Sequence, residues 1–206
     1  MGIYAVKPLF QSCLKGVERQ LIKLSVSADA ITISALVAAG FCAVACAFSA
    51  RQPLLLLVCP LVAFIRTALN ALDGMVARST GTACATGEVL NEMCDRLADA
   101  FMLGGFAFSG LVDVHLAWST VVAALLTECV SMAGKAAGGS RDNVGVMGKA
   151  DRMILLSIAS LLALAFPHAN VLNYAYSFCL ILCLVTVVQR CKSVNASLRQ
   201  LSRSEQ

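Results

Sequence analysis

The sequence predicts an all-α, polytopic integral membrane protein: six transmembrane helices preceded by an N-terminal amphipathic helix at the membrane surface. Hydrophobic residues fill 59% of the 206 positions, charged residues only 14%, and mean hydropathy is +0.80. A soluble domain of this length cannot bury so much apolar surface, so most of it must face lipid. The apolar runs approach the roughly 20 residues with which a helix crosses hydrocarbon. They are rich in Ala, Leu and Gly and lack the strict alternation of barrel strands.

In residues 1–25, Lys7, Lys15, Arg19 and Lys23 interrupt the apolar residues throughout, a pattern that does not resemble a cleavable signal peptide. Phe10, Leu14, Val17 and Leu21 recur at helical spacing with the basic residues on other faces, the pattern of an interfacial helix. A first span is expected over 30–50, broken by Arg51, Gln52 and Pro53. The others are expected over 54–72, 88–112, 116–134, 153–166 and 171–188, with a Gly-rich, charged loop over 135–149. The chain therefore reads as one membrane domain, its six-helix bundle within 28–190 and a polar cytoplasmic tail over 191–206.

Lys7, Lys15, Arg19, Lys23, Arg78, Lys135, Arg141, Lys149, Arg152, Arg190 and Lys192 gather on one side of these spans, against Arg51 alone on the other. Positive charge marks the cytoplasmic side, so both termini are expected there, in the cell inner membrane. A net charge of +4 is too small to suggest nucleic acid, and membrane lipids are the expected surroundings. Ten cysteines form no C-x-x-C pair, and Cys42, Cys46, Cys59, Cys179 and Cys183 lie inside apolar runs, where they read as packing residues.

Ionisable residues within spans cost roughly 2.5–3.5 kcal/mol each near a helix centre, so their placement is informative. In the third span Glu88, Asn91, Glu92, Asp95 and Asp99 project within an arc of about 100°. Arg66, Asn70, Asp73 and Ala77 share a face of the second. Carboxylates converging from two joined helices repel one another unless a cation lies between them, and a divalent ion with oxygen ligands is the simplest candidate. An ion pathway would need polar stripes across the whole membrane, whereas these concentrate near one end.

Asp73-Gly74-Met75-Val76-Ala77-Arg78 is followed after eight residues by Gly87, then by Asn91 and Asp95. This closely resembles the signature of the CDP-alcohol phosphotransferase family, D-x2-D-G-x2-A-R-x8-G-x3-D-x3-D, in its asparagine-containing bacterial form. Asn70 and Asn91 replace the first and third aspartates. Sliding the register one turn, to Asp95 and Asp99, breaks the fixed distance from Gly87 and places Asp99 about 6 Å deeper. Ala28-Asp29-Ala30-Ile31-Thr32, Glu128 with Lys135, and Gly148-Lys149-Ala150-Asp151-Arg152 resemble other family segments more loosely.

The resemblance implies metal-dependent transfer of a phosphatidyl group from CDP-diacylglycerol to a small polar alcohol, with release of CMP, in phospholipid biosynthesis. It implies that Asn70, Asp73, Asn91 and Asp95 hold Mg²⁺ or Mn²⁺, with Glu88 and Glu92 compensating for the lost acids, and that Asp95 is the catalytic base. Gly74, Ala77, Arg78 and Gly87 would meet the nucleotide and its phosphates. Lys135, Arg141 and Lys149 would meet an anionic acceptor. Asp99 reads as a structural partner of Arg66 or Arg96. A homodimer is the candidate assembly. The competing readings are CDP-headgroup transfer to diacylglycerol and a non-catalytic protein that keeps the fold.

Overall fold

A computed structural model describes residues 7–139 and 144–204, which form seven helices and no strand. They are α1 (Lys7–Lys23), α2 (Ala28–Ala47), α3 (Val58–Ser79), α4 (Ala85–Gly104), α5 (Val114–Ala136), α6 (Lys149–Ala165) and α7 (Val171–Ser204). Short 3₁₀ turns at Pro53–Leu57 and Gly105–Phe108 lead into α3 and out of α4. Local chemistry sets several starts. Ser27 accepts the Ala30 amide at 3.2 Å to open α2, and Asp113 accepts that of Leu116 at 2.9 Å to open α5.

α2 packs on α3 and α4, α5 packs on α7, and α6 lies between α3 and α7. Small residues permit these close approaches: Ala35, Ala39, Cys42 and Cys46 form the buried stripe of α2. Cys42, Cys46, Cys59, Cys179 and Cys183 are buried free thiols in the core. Large apolar side chains face outward instead, among them Phe41, Phe64, Phe178 and Ile181. Such an apolar exterior suits hydrocarbon.

Among the described residues, four helical stretches are long and apolar enough to cross a membrane: Ala28–Ala47, Pro53–Ser79, Val114–Ala136 and Val171–Gln200. α4 and α6, expected as spans, are not among them. α4 carries Glu88, Glu92, Asp95, Arg96 and Asp99, and α6 has only 17 residues.

Two boundaries differ from expectation. The third apolar run, expected to 112, leaves α-helical geometry at Gly104 because the chain turns tightly against α2. A Cβ on Gly105 would stand 2.6 Å from the Ala43 Cα, so Gly105→Ala is expected to cost about 1–3 kcal/mol by overpacking, read as a lower thermal unfolding midpoint in detergent. The polar tail beyond Arg190 is helical, continuing α7 to Ser204. Arg190 anchors that stretch, donating to the Thr127 carbonyl at 2.6 Å and to Ser131 Oγ at 3.0 Å.

α1 lies along the C-terminal half of α3. Leu14, Leu21 and Ile22 pack against the Ile31, Leu72 and Val76 cluster, and Ser79 Oγ donates to Glu18 at 2.6 Å. Val17, expected on the same apolar face, is 47% exposed.

Candidate active site

Asn70 and Asp73 sit three residues apart on α3, Asn91 and Asp95 four apart on α4, so each pair shares one helical face. The two faces meet. Asn70 Nδ2 donates to Asp95 Oδ1 at 2.9 Å, and Asp73 lies within electrostatic range of Asp95.

Each aspartate is held firmly. Asp73 Oδ2 accepts the Thr32 hydroxyl at 3.0 Å, and its Oδ1 accepts the Gly74 backbone N–H. Asp95 Oδ1 also faces Arg66 Nη2 at 3.6 Å and forms an ion pair with Lys149. Asp95 Oδ2 receives no hydrogen bond or ion pair among the described residues. Asn91 Oδ1 is buried without a hydrogen-bond partner among the described residues. A buried acceptor left open is costly unless something else supplies positive charge.

These atoms suit a divalent cation. Asp95 Oδ2, the Asp73 carboxylate and Asn91 Oδ1 are all hard oxygen donors of the kind that Mg²⁺ and Mn²⁺ take, while Asn70 braces Asp95 through its amide. Removing the Thr32 support should loosen Asp73. Thr32→Val is expected to weaken Mn²⁺ binding roughly tenfold, measured by titration of the purified protein.

The proposed compensating acids point elsewhere. Glu92 pairs with Arg96, and Glu88 pairs with Lys135. Lys135, expected at an acceptor, thus has an acidic neighbour of its own. Arg141 lies outside the described residues. Gly74 makes room for a guanidinium: a Cβ there would approach Arg78 Nη1 to 3.1 Å, so Arg78 folds back over the start of the motif. Gly87 opens α4 beside Asp29, whose Oδ1 would lie 3.6 Å from an added Cβ. Ala77 is half-buried one residue before Arg78.

Asp99 does not face the open oxygens. It is 3% exposed and bridges Arg66, the partner expected for it, at 3.1 Å and Arg152 at 3.0 Å. Glu128 extends this network to Arg152 at 3.5 Å and Arg190 at 3.2 Å. Arg152 and Arg190 had counted only as orientation charges, yet both are buried and together tie α6 and α7 to α5. The signal was available for Arg152, which follows Lys149 by three residues and so lies on the same face of α6. Thr32 was visible only within its segment, without a partner.

The family model for CDP-alcohol phosphatidyltransferases matches residues 25–189, a stretch that holds Asn70, Asp73, Asn91 and Asp95. The chain belongs to that family. As a CDP-alcohol phosphatidyltransferase it is a transferase of phospholipid synthesis, and the family is divalent-metal dependent. It is 35% identical over 195 residues to the inner membrane protein YnbA of Escherichia coli, covering 94% of this chain and 96% of that protein. It is 31% identical over 122 residues to the archaetidylinositol phosphate synthase of Pyrococcus horikoshii, covering 59% of this chain and 61% of that one. Among solved structures, the phosphatidylinositol phosphate synthase of Mycobacterium tuberculosis in complex with manganese and citrate has the same fold. It superposes with a TM-score of 0.75 at 21% identity over 88% of each chain. The same synthase with CDP-DAG bound gives a TM-score of 0.73, covering 87% of this chain and 92% of that one.

Proposed function

We propose that this protein transfers the phosphatidyl group of CDP-diacylglycerol to a small, anionic polar alcohol, at a site formed by Asn70, Asp73, Asn91 and Asp95. The observation that carries the reading is the meeting of α3 and α4 through Asn70 and Asp95, with Asp95 Oδ2 and Asn91 Oδ1 left open. Mg²⁺ or Mn²⁺ bound by these oxygens would neutralise the donor's diphosphate and polarise the phosphorus under attack.

The chain's own groups do the rest. Asp95 Oδ2 accepts the proton of the acceptor hydroxyl while the new O–P bond forms, and the bond to the CMP oxygen breaks with its electron pair leaving on CMP. Arg66 and Lys149 hold Asp95 in place from its other oxygen, Oδ1. Arg78, exposed at the end of α3 and folded toward Gly74, meets phosphate or nucleotide. Lys135 gives the acceptor a cationic approach; similarity to an archaetidylinositol phosphate synthase and a phosphatidylinositol phosphate synthase supports an acceptor that is itself phosphorylated.

In this reading α4 and α6 cross the membrane with the four apolar helices to give six spans, their charges turned into the network around Asp99 and Glu128. The 35% identity to an inner membrane protein supports that membrane, and the Lys and Arg asymmetry supports cytoplasmic termini with α1 at the surface. The site then opens where CMP can depart into water while acyl chains remain in lipid. The test is release of radiolabelled CMP from CDP-diacylglycerol by purified protein with Mg²⁺ or Mn²⁺ and a panel of alcohols. Turnover with phosphorylated polyols above that with glycerol or inositol is expected. Absence of CMP release with every acceptor and either metal would refute the reading.

A further inference from the structure

We infer that this site holds a single divalent cation, and that the ammonium of Lys149 serves as a built-in second positive charge, fixed on Asp95. The inference rests on the proposed reading of the site and adds how many ions it takes and what replaces the missing one.

The argument starts from charge. Of the four oxygen-bearing positions only Asp73 and Asp95 are acids, and the nearest glutamates on α4 are directed to Lys135 and Arg96. Two carboxylates match one divalent ion. Before a diphosphate binds, two such ions beside Lys149 and Arg66 would leave a positive excess in a setting where charge is poorly screened.

Lone pairs lead to the same count. A carboxylate oxygen offers about two acceptor directions. Asp95 Oδ1 already takes the Asn70 amide and the Lys149 ammonium and faces Arg66 Nη2, so nothing remains with which to bridge a second cation. Only its Oδ2 is open. Asn70 contributes doubly here: an aspartate in its place could not donate to Asp95 and would add the missing charge.

Lys149 is held where it must be to play this part. It is the first residue of α6, after Gly148, whose N–H donates to Asp151 Oδ2 at 2.9 Å and fixes the start of the helix. Three residues on, Arg152 is locked to Asp99 and Glu128. The ammonium is 29% exposed, close enough to water to release Asp95 only at an energetic cost, unlike a metal ion that exchanges with the medium.

Bound manganese counted by elemental analysis, together with the electron paramagnetic resonance spectrum of purified protein saturated with Mn²⁺ and CDP, tests the inference. Wild type is expected to hold one Mn²⁺ per chain with an uncoupled spectrum. Lys149→Met is expected to tighten Mn²⁺ binding about tenfold, because a fixed positive charge leaves the site, while Lys149→Arg keeps wild-type affinity. The triple change Asn70→Asp, Asn91→Asp and Lys149→Met is expected to hold two ions with a spin-coupled spectrum. Size-exclusion profiles and CDP binding of each variant confirm that it is folded. Two ions in wild type, or an affinity that Lys149→Met leaves unchanged, would overturn the inference alone. No bound Mn²⁺ in wild type would overturn both it and the proposed function.

Discussion

Asp95→Asn is expected to lower CMP release by roughly 10²–10⁴-fold, the range over which a positioned general base contributes. The substitution preserves shape but removes the one carboxylate oxygen at the centre with no partner among the described residues, Oδ2. An amide cannot take the acceptor's proton, and it leaves Lys149 facing a neutral group. Single-turnover release of labelled CMP measures this. If turnover fell by less than about threefold, well short of that range, Asp95 would not be the base.

Asp99→Asn is expected to act on stability rather than chemistry, and strongly. Asp99 is the shared partner of Arg66 and Arg152, both almost fully buried. Removing its charge leaves two guanidinium groups short of compensation, which for broken buried pairs costs about 3–5 kcal/mol. Arg152 keeps Glu128 at 3.5 Å, but Arg66 is left with Asp95 at 3.6 Å and the sulfurs of Met102 and Met153. A fall of roughly 10 °C in the unfolding midpoint of detergent-solubilised protein follows from that energy for a chain of this size. An unchanged midpoint would show that the network is dispensable. The two substitutions lie one helical turn apart on α4, so the contrast between lost turnover and lost stability separates the reacting centre from its support.

Much of the site was legible because it is local. Asp73 and Asp95 stand on helices whose 3.6-residue period directs Asn70 and Asp73, and Asn91 and Asp95, to common faces. The short stretch 80–84 between α3 and α4 leaves those faces adjacent. Asp99 and Arg66 were legible for the same reason, each being about one turn from a site residue. The pairing of Glu92 and Glu88 with cations was not legible from the motif. Arg96 lies one turn along on α4, and Lys135 comes from the end of α5, 47 residues away.

Composition and periodicity by themselves determined that the chain is helical and apolar outside, and the spacing of one motif determined its family and the two helices that bear the chemistry. Only the tertiary structure decided that Lys149 sits on Asp95, that Thr32 braces Asp73, and that Arg152 and Arg190 are buried beside Glu128 rather than spread along a membrane surface. The physical reason is range. A helix fixes the direction of side chains within a few turns, whereas the partner of a buried charge is set by which helices pack together, and nothing in the local pattern of a sequence encodes that choice.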